Sequence, residues 1–262
     1  MRIKPKNSVE LKKMAAASEL AARTLDMITP HIKPGISTEK IDQLCHEFMI
    51  KHNAVPATLG YKGFPKSCCT SINDVICHGI PSEEDILKEG DIINIDVTAI
   101  LDGYHGDTSR MYPVGDVSEE NRLLMRTAYT CMMDAIGTVK SGSFLDEIGK
   151  TIQTKAEALG YGVVRDYCGH GLGRVFHEDP MVLHYYSGDP RQHIRLRKGS
   201  TFTIEPMINI GTYEGEVMED DWTVRTQDRK NSAQYEHTIA VTEGGSDILT
   251  KSPEGYTDNL DL

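Results

Sequence analysis

No stretch of the 262-residue chain approaches the roughly 18–20 continuous apolar residues of a membrane-spanning helix, so no membrane partner is expected. The basic residues among the first thirteen positions are followed by no apolar segment of the kind a secretory leader carries. Positive charge is scarce. The 28 Lys and Arg stand against 39 Asp and Glu, a formal net charge of −11, which argues against a role in gripping DNA or other polyanions. Cysteine is sparse and unpatterned: Cys45, Cys68, Cys69, Cys77, Cys131 and Cys168 show no CxxC spacing. That excludes a disulfide scaffold and favours a reducing, cytoplasmic compartment. Gly/Ser linkers and low-complexity tracts are also missing, and 39% apolar content is enough for a substantial core. A single domain over residues 1–262 is therefore expected.

What is present reads as helices interleaved with strands. Ser8 precedes an Ala- and Leu-rich stretch that runs to about Ile28, with Leu11, Met14, Ala15, Ser18, Ala22 and Leu25 on one stripe. Further helices are predicted to begin at Ser37, at Ser118 with Glu119 and Glu120 in the first turn, and at Ser143, the last ending near Gly160. Residues 91–100, 201–205 and 235–241 are short runs of Ile, Val, Thr and Phe between turn residues, which predicts strands. The class is mixed α/β.

The run 87–96 can be laid over 196–205 at an offset of 109 residues, and Lys33-Pro34-Gly35 over Lys140-Ser141-Gly142 at an offset of 107. Two matches at nearly one offset suggest duplicated halves, roughly 1–115 and 116–262, with Asp96 and Glu205 as counterparts. Chance likeness of helix and strand openings is the alternative.

Asp102-Gly103 is a strongly preferred hairpin dipeptide and fixes a register: residue 98 opposite 107, residue 96 opposite 109. Asp96, Thr98, His105, Asp107 and Ser109 then share one face, and Ile93, Ile95, Val97 and Ala99 the other. Glu205 and Glu236 fall in similar apolar runs. One buried acid is ordinarily a satisfied structural residue. Four gathered in a low-dielectric cleft either bind protons or demand cations. Two divalent ions balance four carboxylates, and a hard-oxygen set with room for one imidazole suits Mn, Fe, Co or Zn. Three of the ten histidines sit in suggestive contexts: His78, His177 and His170, the last flanked by glycines that allow close backbone approach.

These features coincide with Ile76-Cys77-His78-Gly79-Ile80-Pro81, His105-Gly106-Asp107-Thr108-Ser109, Cys168-Gly169-His170-Gly171, Thr203-Ile204-Glu205-Pro206-Met207 and Gln234-Tyr235-Glu236-His237. In this order, and across nearly its whole length, the chain resembles the type I methionine aminopeptidases of the creatinase/aminopeptidase, or pita-bread, group. The resemblance implies an α+β fold of two pseudo-symmetric halves, with a curved, mainly antiparallel sheet covered by helices. It also implies metal ligands at Asp96, Asp107, His170, Glu205 and Glu236. By the same likeness, Glu205 shuttles a proton from a metal-activated water to the leaving amine, and His78 and His177 bond the substrate and its tetrahedral intermediate.

The implied activity removes an N-terminal methionine, before a small second residue, from nascent chains. The methionine side chain would enter a pocket of Tyr61, Phe64, Cys69, Phe176 and the sole tryptophan, Trp222. Lys62 and Phe64 depart from the His and Tyr that bacterial members often carry, which alters the pocket rim. Asn73, Val75 and Ser232 are implied holders of a monovalent cation, Na or K. A monomer making transient contact with ribosomes is the expected state. Two alternatives stand beside this reading: an Xaa-Pro-cleaving relative, and a non-catalytic binding protein on the same scaffold.

Overall fold

The computed structural model describes residues 3–256; residues 1–2 and 257–262 lie outside the described span. Helix α1 (Ser8–Ile28) is capped by Asn7 rather than by Ser8. The Asn7 side chain accepts from Val9 and Glu10 N–H, and the Glu10 carboxylate accepts from Asn7 N–H, a reciprocal capping box. Its buried face is also broader than the predicted stripe: Ala17, Leu20, Ala21 and Ile28 are buried, whereas Leu11 and Ala15 are only half-buried. Ser37 caps α2 (Thr38–Lys51) and Ser118 caps α3 (Glu119–Gly137), both as expected. Helix α4 (Asp146–Ala158) starts at Asp146, not at Ser143, because the Ser143 hydroxyl is engaged with Lys140 in a turn and Phe144 bridges Arg195.

The strands are β1 (Val55–Pro56), β2 (Cys69–Ile72), β3 (Val75–Cys77), β4 (Ile92–Leu101), β5 (Tyr104–Pro113), β6 (Gly162–Val163), β7 (Gly169–Gly171), β8 (Glu178–Val182), β9 (Thr201–Ile204), β10 (Met207–Asn209), β11 (Gly215–Val217), β12 (Val224–Thr226), β13 (Ser232–Gln234), β14 (Glu236–Val241) and β15 (Ser246–Ile248). The main sheet is antiparallel in the order β1-β4-β5-β14-β9-β7-β8, with β2 beside β4 and β15 beside β14. The predicted run 235–241 begins at Glu236. Gln234 ends β13, which pairs with β10, and the chain changes sheets at the buried Tyr235. The strand predicted over 201–205 stops at Ile204, leaving Glu205 just beyond it.

The β4–β5 hairpin has the register set by Asp102-Gly103, with Asp96 opposite Ser109 and Thr98 opposite Asp107. Ile93, Ile95, Val97 and Ala99 are fully buried against α1 and α2. Helices α3 and α4 likewise cover Phe202 and Ile204 of β9 and Ile239 and Val241 of β14. Each fully buried Ile, Val or Phe stabilises the fold by roughly 1.5–3 kcal/mol. The helix-covered face can thus offset polar groups buried on the other.

The two strand pairs meet at β5–β14, where Glu236 faces Ser109 and His237 faces Thr108. The segments before α2 and α4 make matching bonds. Gly35 N–H donates to Leu87 and Gly142 N–H to Leu196; Leu87 N–H donates to Ile36 and Leu196 N–H to Ser143. Gly90 N–H to Val114 is matched by Gly199 N–H to Val241. No helix among the described residues is long and apolar enough to cross a membrane, and all six cysteines are unpaired.

One buried ion pair ties the C-terminal segment to this scaffold. Arg110 Nη2 lies 2.8 Å from Asp26 Oδ1, and the Ser252 hydroxyl bonds both oxygens of Asp26. Removing one partner strands the other in the interior, so Asp26→Ala is expected to cost about 3–5 kcal/mol, measurable by urea unfolding monitored by circular dichroism.

Candidate metal centre

The register stacks the acids. Asp96, Ser109 and Glu236 form one row across β4, β5 and β14, and Glu205 lies one step past the last paired residue of β9. In the adjacent row, Thr98 is paired with Asp107 and Thr203 with Thr238. All these side chains lie on the sheet face away from the helices. His170 arrives from β7, whose backbone passes so close to β8 and β9 that a Cβ on Gly171 would collide with the carbonyl of Asp179. Its Nδ1 donates to Gly171 O at 3.1 Å, which turns Nε2 toward the acids, 3.5 Å from Asp107 and 3.7 Å from Glu205. Asp107, His170 and Glu236 each offer a ligand atom within 4.8 Å of the others.

The electrostatics are lopsided. Burial, then the charges of Asp107 and Glu205, push the Asp96 carboxyl well above the ordinary range. Glu236 is pushed the same way, by burial first and then by Asp107, Glu205 and Asp96. Burial carries Glu205 up to about 7, although His170 and the Thr203 hydroxyl pull it back. Burial pulls His170 down, yet Asp107 and Glu205 overcome it and raise the imidazole to about 9. Among the described residues, no donor hydrogen-bonds the carboxylates of Asp96 or Glu236. Acids buried with so few donors are those a cation would satisfy, and four carboxylates with one imidazole are a donor set for borderline-hard divalent ions.

A cavity of about 290 Å³ opens on this cluster, lined by Tyr61, Phe64, Cys69, His78, Phe176, His177 and Trp222 together with all five predicted ligands. Phe64 meets Trp222 edge-on at 5.2 Å, Tyr61 stacks on His177 at 5.2 Å, and His177 lies 4.1 Å from His170 between ring centroids. His78 is at φ +57, a strained left-handed conformation at the end of β3. Gly79 must follow it, because a Cβ there would strike the Thr70 carbonyl. Burial holds His78 below its ordinary value. Burial, then the charge of His170, brings His177 down to about 4. Burial keeps the Cys69 thiol well above its usual range. Lys62 is exposed at the rim, with Nζ 5.4 Å from the Tyr61 ring.

Asn73, Val75 and Ser232 stand apart from the cavity lining, where Ser232 N–H bonds the Asn73 carbonyl at 2.9 Å. Three supporting residues escaped the sequence reading as such. Thr203 Oγ1 donates to Glu205 Oε1 at 2.6 Å, Gln234 Nε2 to Glu205 Oε2 at 3.3 Å, and Glu205 N–H to His184 Nε2 at 3.2 Å. Thr203 and Gln234 lie inside quoted motifs, where alternation could have shown them facing Glu205. Nothing local marks His184. Burial alone brings its imidazole down to about 3.

Residues 12–243 match Metallopeptidase family M24. A methionine aminopeptidase of Rickettsia prowazekii (strain Madrid E) is 53% identical over 255 residues, 97% of each chain. One of Escherichia coli (strain K12) is 51% identical over 251 residues, 95% of this chain and 94% of that one. The crystal structure of methionine aminopeptidase from Rickettsia prowazekii superposes with a TM-score of 0.92, covering 95% of this chain and all of the other.

The shifts fix how metal-free protein responds to pH. Glu205 rises from an ordinary 4.5 to about 7, so its contribution to stability is complete below about 4.5 and lost as pH climbs through 7. His170 rises from 6.5 to about 9, with a contribution lost on climbing through 9. His78, His177 and His184 are largely neutral in both folded and unfolded states above about pH 7.5 and add little there. Chelator-treated protein should therefore lose melting temperature between about pH 7.5 and 9 in calorimetry, and saturating Mn²⁺ should flatten the slope. A flat profile without metal would contradict this charge balance.

Proposed function

Because the chain belongs to metallopeptidase family M24, and its α+β architecture is the pita-bread fold, we propose that it is a methionyl aminopeptidase releasing the N-terminal methionine of nascent proteins and peptides. It is supported above all by the convergence of four buried carboxylates and His170 beside an aromatic- and sulfur-lined cavity. Asp96, Asp107, His170, Glu205 and Glu236 are assigned as ligands of two divalent ions from among Mn, Fe, Co and Zn. Such ions, when bound, supply an acidified water and polarise the scissile carbonyl.

The chain's own groups do the rest. Glu205 is assigned to accept the proton of the attacking water and pass it to the leaving amine. Thr203 and Gln234 hold its two oxygens in place. His78 and His177 are neutral imidazoles, able to donate hydrogen bonds to the substrate amide and to the developing oxyanion without adding charge. Tyr61, Phe64, Cys69, Phe176 and Trp222 are assigned to the methionine side chain, whose polarisable thioether suits aromatic and sulfur neighbours. A cavity of about 290 Å³ has room for one such side chain, and a small second residue is assigned as the preferred neighbour.

Asn73, Val75 and Ser232 are assigned to a monovalent cation, Na or K. The buried Ser232 hydroxyl, which has no hydrogen-bond partner among the described residues, is an oxygen such an ion would satisfy. The two halves, roughly 1–115 and 116–262, are read as a pseudo-repeat within one catalytic unit, in keeping with their matching loop bonds. All proposed site residues come from one chain, so a monomer is complete for catalysis, meeting emerging chains transiently at the ribosome. Six unpaired cysteines suit the cytoplasm.

The decisive assay is methionine release from a Met-Ala-Ser peptide by metal-loaded protein, beside an Xaa-Pro peptide. Glu205→Gln should lower kcat at least about a hundredfold while the fold is kept, and His177→Ala about a hundredfold. Unaltered turnover in Glu205→Gln, or preference for the Xaa-Pro peptide, would overturn the assignment.

A further inference from the structure

Glu205 has an unusual backbone setting. Strand β9 ends at Ile204, so the Glu205 amide has no strand partner, and Pro206 behind it carries no N–H. The amide N–H is taken instead by a side chain from another part of the fold, His184 Nε2 at 3.2 Å, just past the end of β8. His184 is fully buried. An accepting Nε2 puts the ring proton on Nδ1, and that nitrogen is buried without a partner among the described residues.

For packing alone, an apolar side chain would serve this position better, because it would leave no polar atom unsatisfied in the interior. What the imidazole offers is one acceptor at the point where the chain turns from sheet to cavity. We propose that His184 is a positioning residue for Glu205: by accepting its amide N–H, Nε2 sets the direction in which the carboxylate leaves the strand end. Thr203 and Gln234 then fix the rotation of the carboxylate, so backbone and side chain are held independently. This rests on the reading of Glu205 as metal ligand and proton carrier.

Two variants of the full-length protein separate an accepting atom from bulk. His184→Leu keeps most of the volume and removes the acceptor, whereas His184→Gln supplies a side-chain oxygen for the same N–H. Calorimetric titration of chelator-treated protein with Co²⁺ should show His184→Leu binding at least about tenfold more weakly, and His184→Gln recovering most of the loss. With metal restored, kcat on Met-Ala-Ser should follow the same order while KM stays within about twofold. The proposal is wrong if His184→Leu binds Co²⁺ as tightly as unaltered protein, or if His184→Gln falls as far as His184→Leu. Should His184→Leu not fold, ¹⁵N NMR of the unaltered, metal-free protein decides: a proton on Nδ1 supports the proposal, and one on Nε2 overturns it. Affinity and tautomer are read without turnover, so a failure of the peptidase assignment would appear separately, as unaltered protein that releases no methionine.

Discussion

Four carboxylates forced together on one face of a sheet are the constraint from which the rest of the molecule follows. Their repulsion and desolvation oppose folding, and apolar burial on the other face, under two pairs of helices, offsets that cost. Burial first raises Asp96, Glu205 and Glu236, the neighbouring carboxylates add to it at Asp96 and Glu236, and Asp107 and Glu205 draw His170 upward, so the cluster as folded is an unmet demand for positive charge. Affinity for cations is thereby built into the backbone register.

The surrounding histidines divide by neighbour. His170 faces carboxylates and is raised, whereas His78 and His177 face rings and apolar walls and are lowered. One residue type thus supplies both a partner for the acids and neutral imidazoles in the cavity wall, with burial and adjacent charge deciding which.

Much of this was legible in the sequence because it is local. Asp102-Gly103 fixed a hairpin, the hairpin fixed the faces, and the faces put Asp96 and Asp107 together. Ser37 and Ser118 marked helix starts because capping is a matter of a few neighbouring residues. Non-local events were harder to see. Ser143 looked like a cap but was captured by a turn, and the run through Tyr235 hid a change of sheets that depends on partners far along the chain. His184 gave no signal, since its contact with Glu205 is made only by folding.

The seam between β5 and β14 is registered at only two residue pairs. On one side of it stand Asp96 and Asp107; on the other stand His170, Glu205 and Glu236. Ions shared by both sets would act as a rivet through that join, and parting the join would dismantle the coordination shell in the same step. Bound ions would therefore make that join harder to part, a reinforcement that is withdrawn when they are removed.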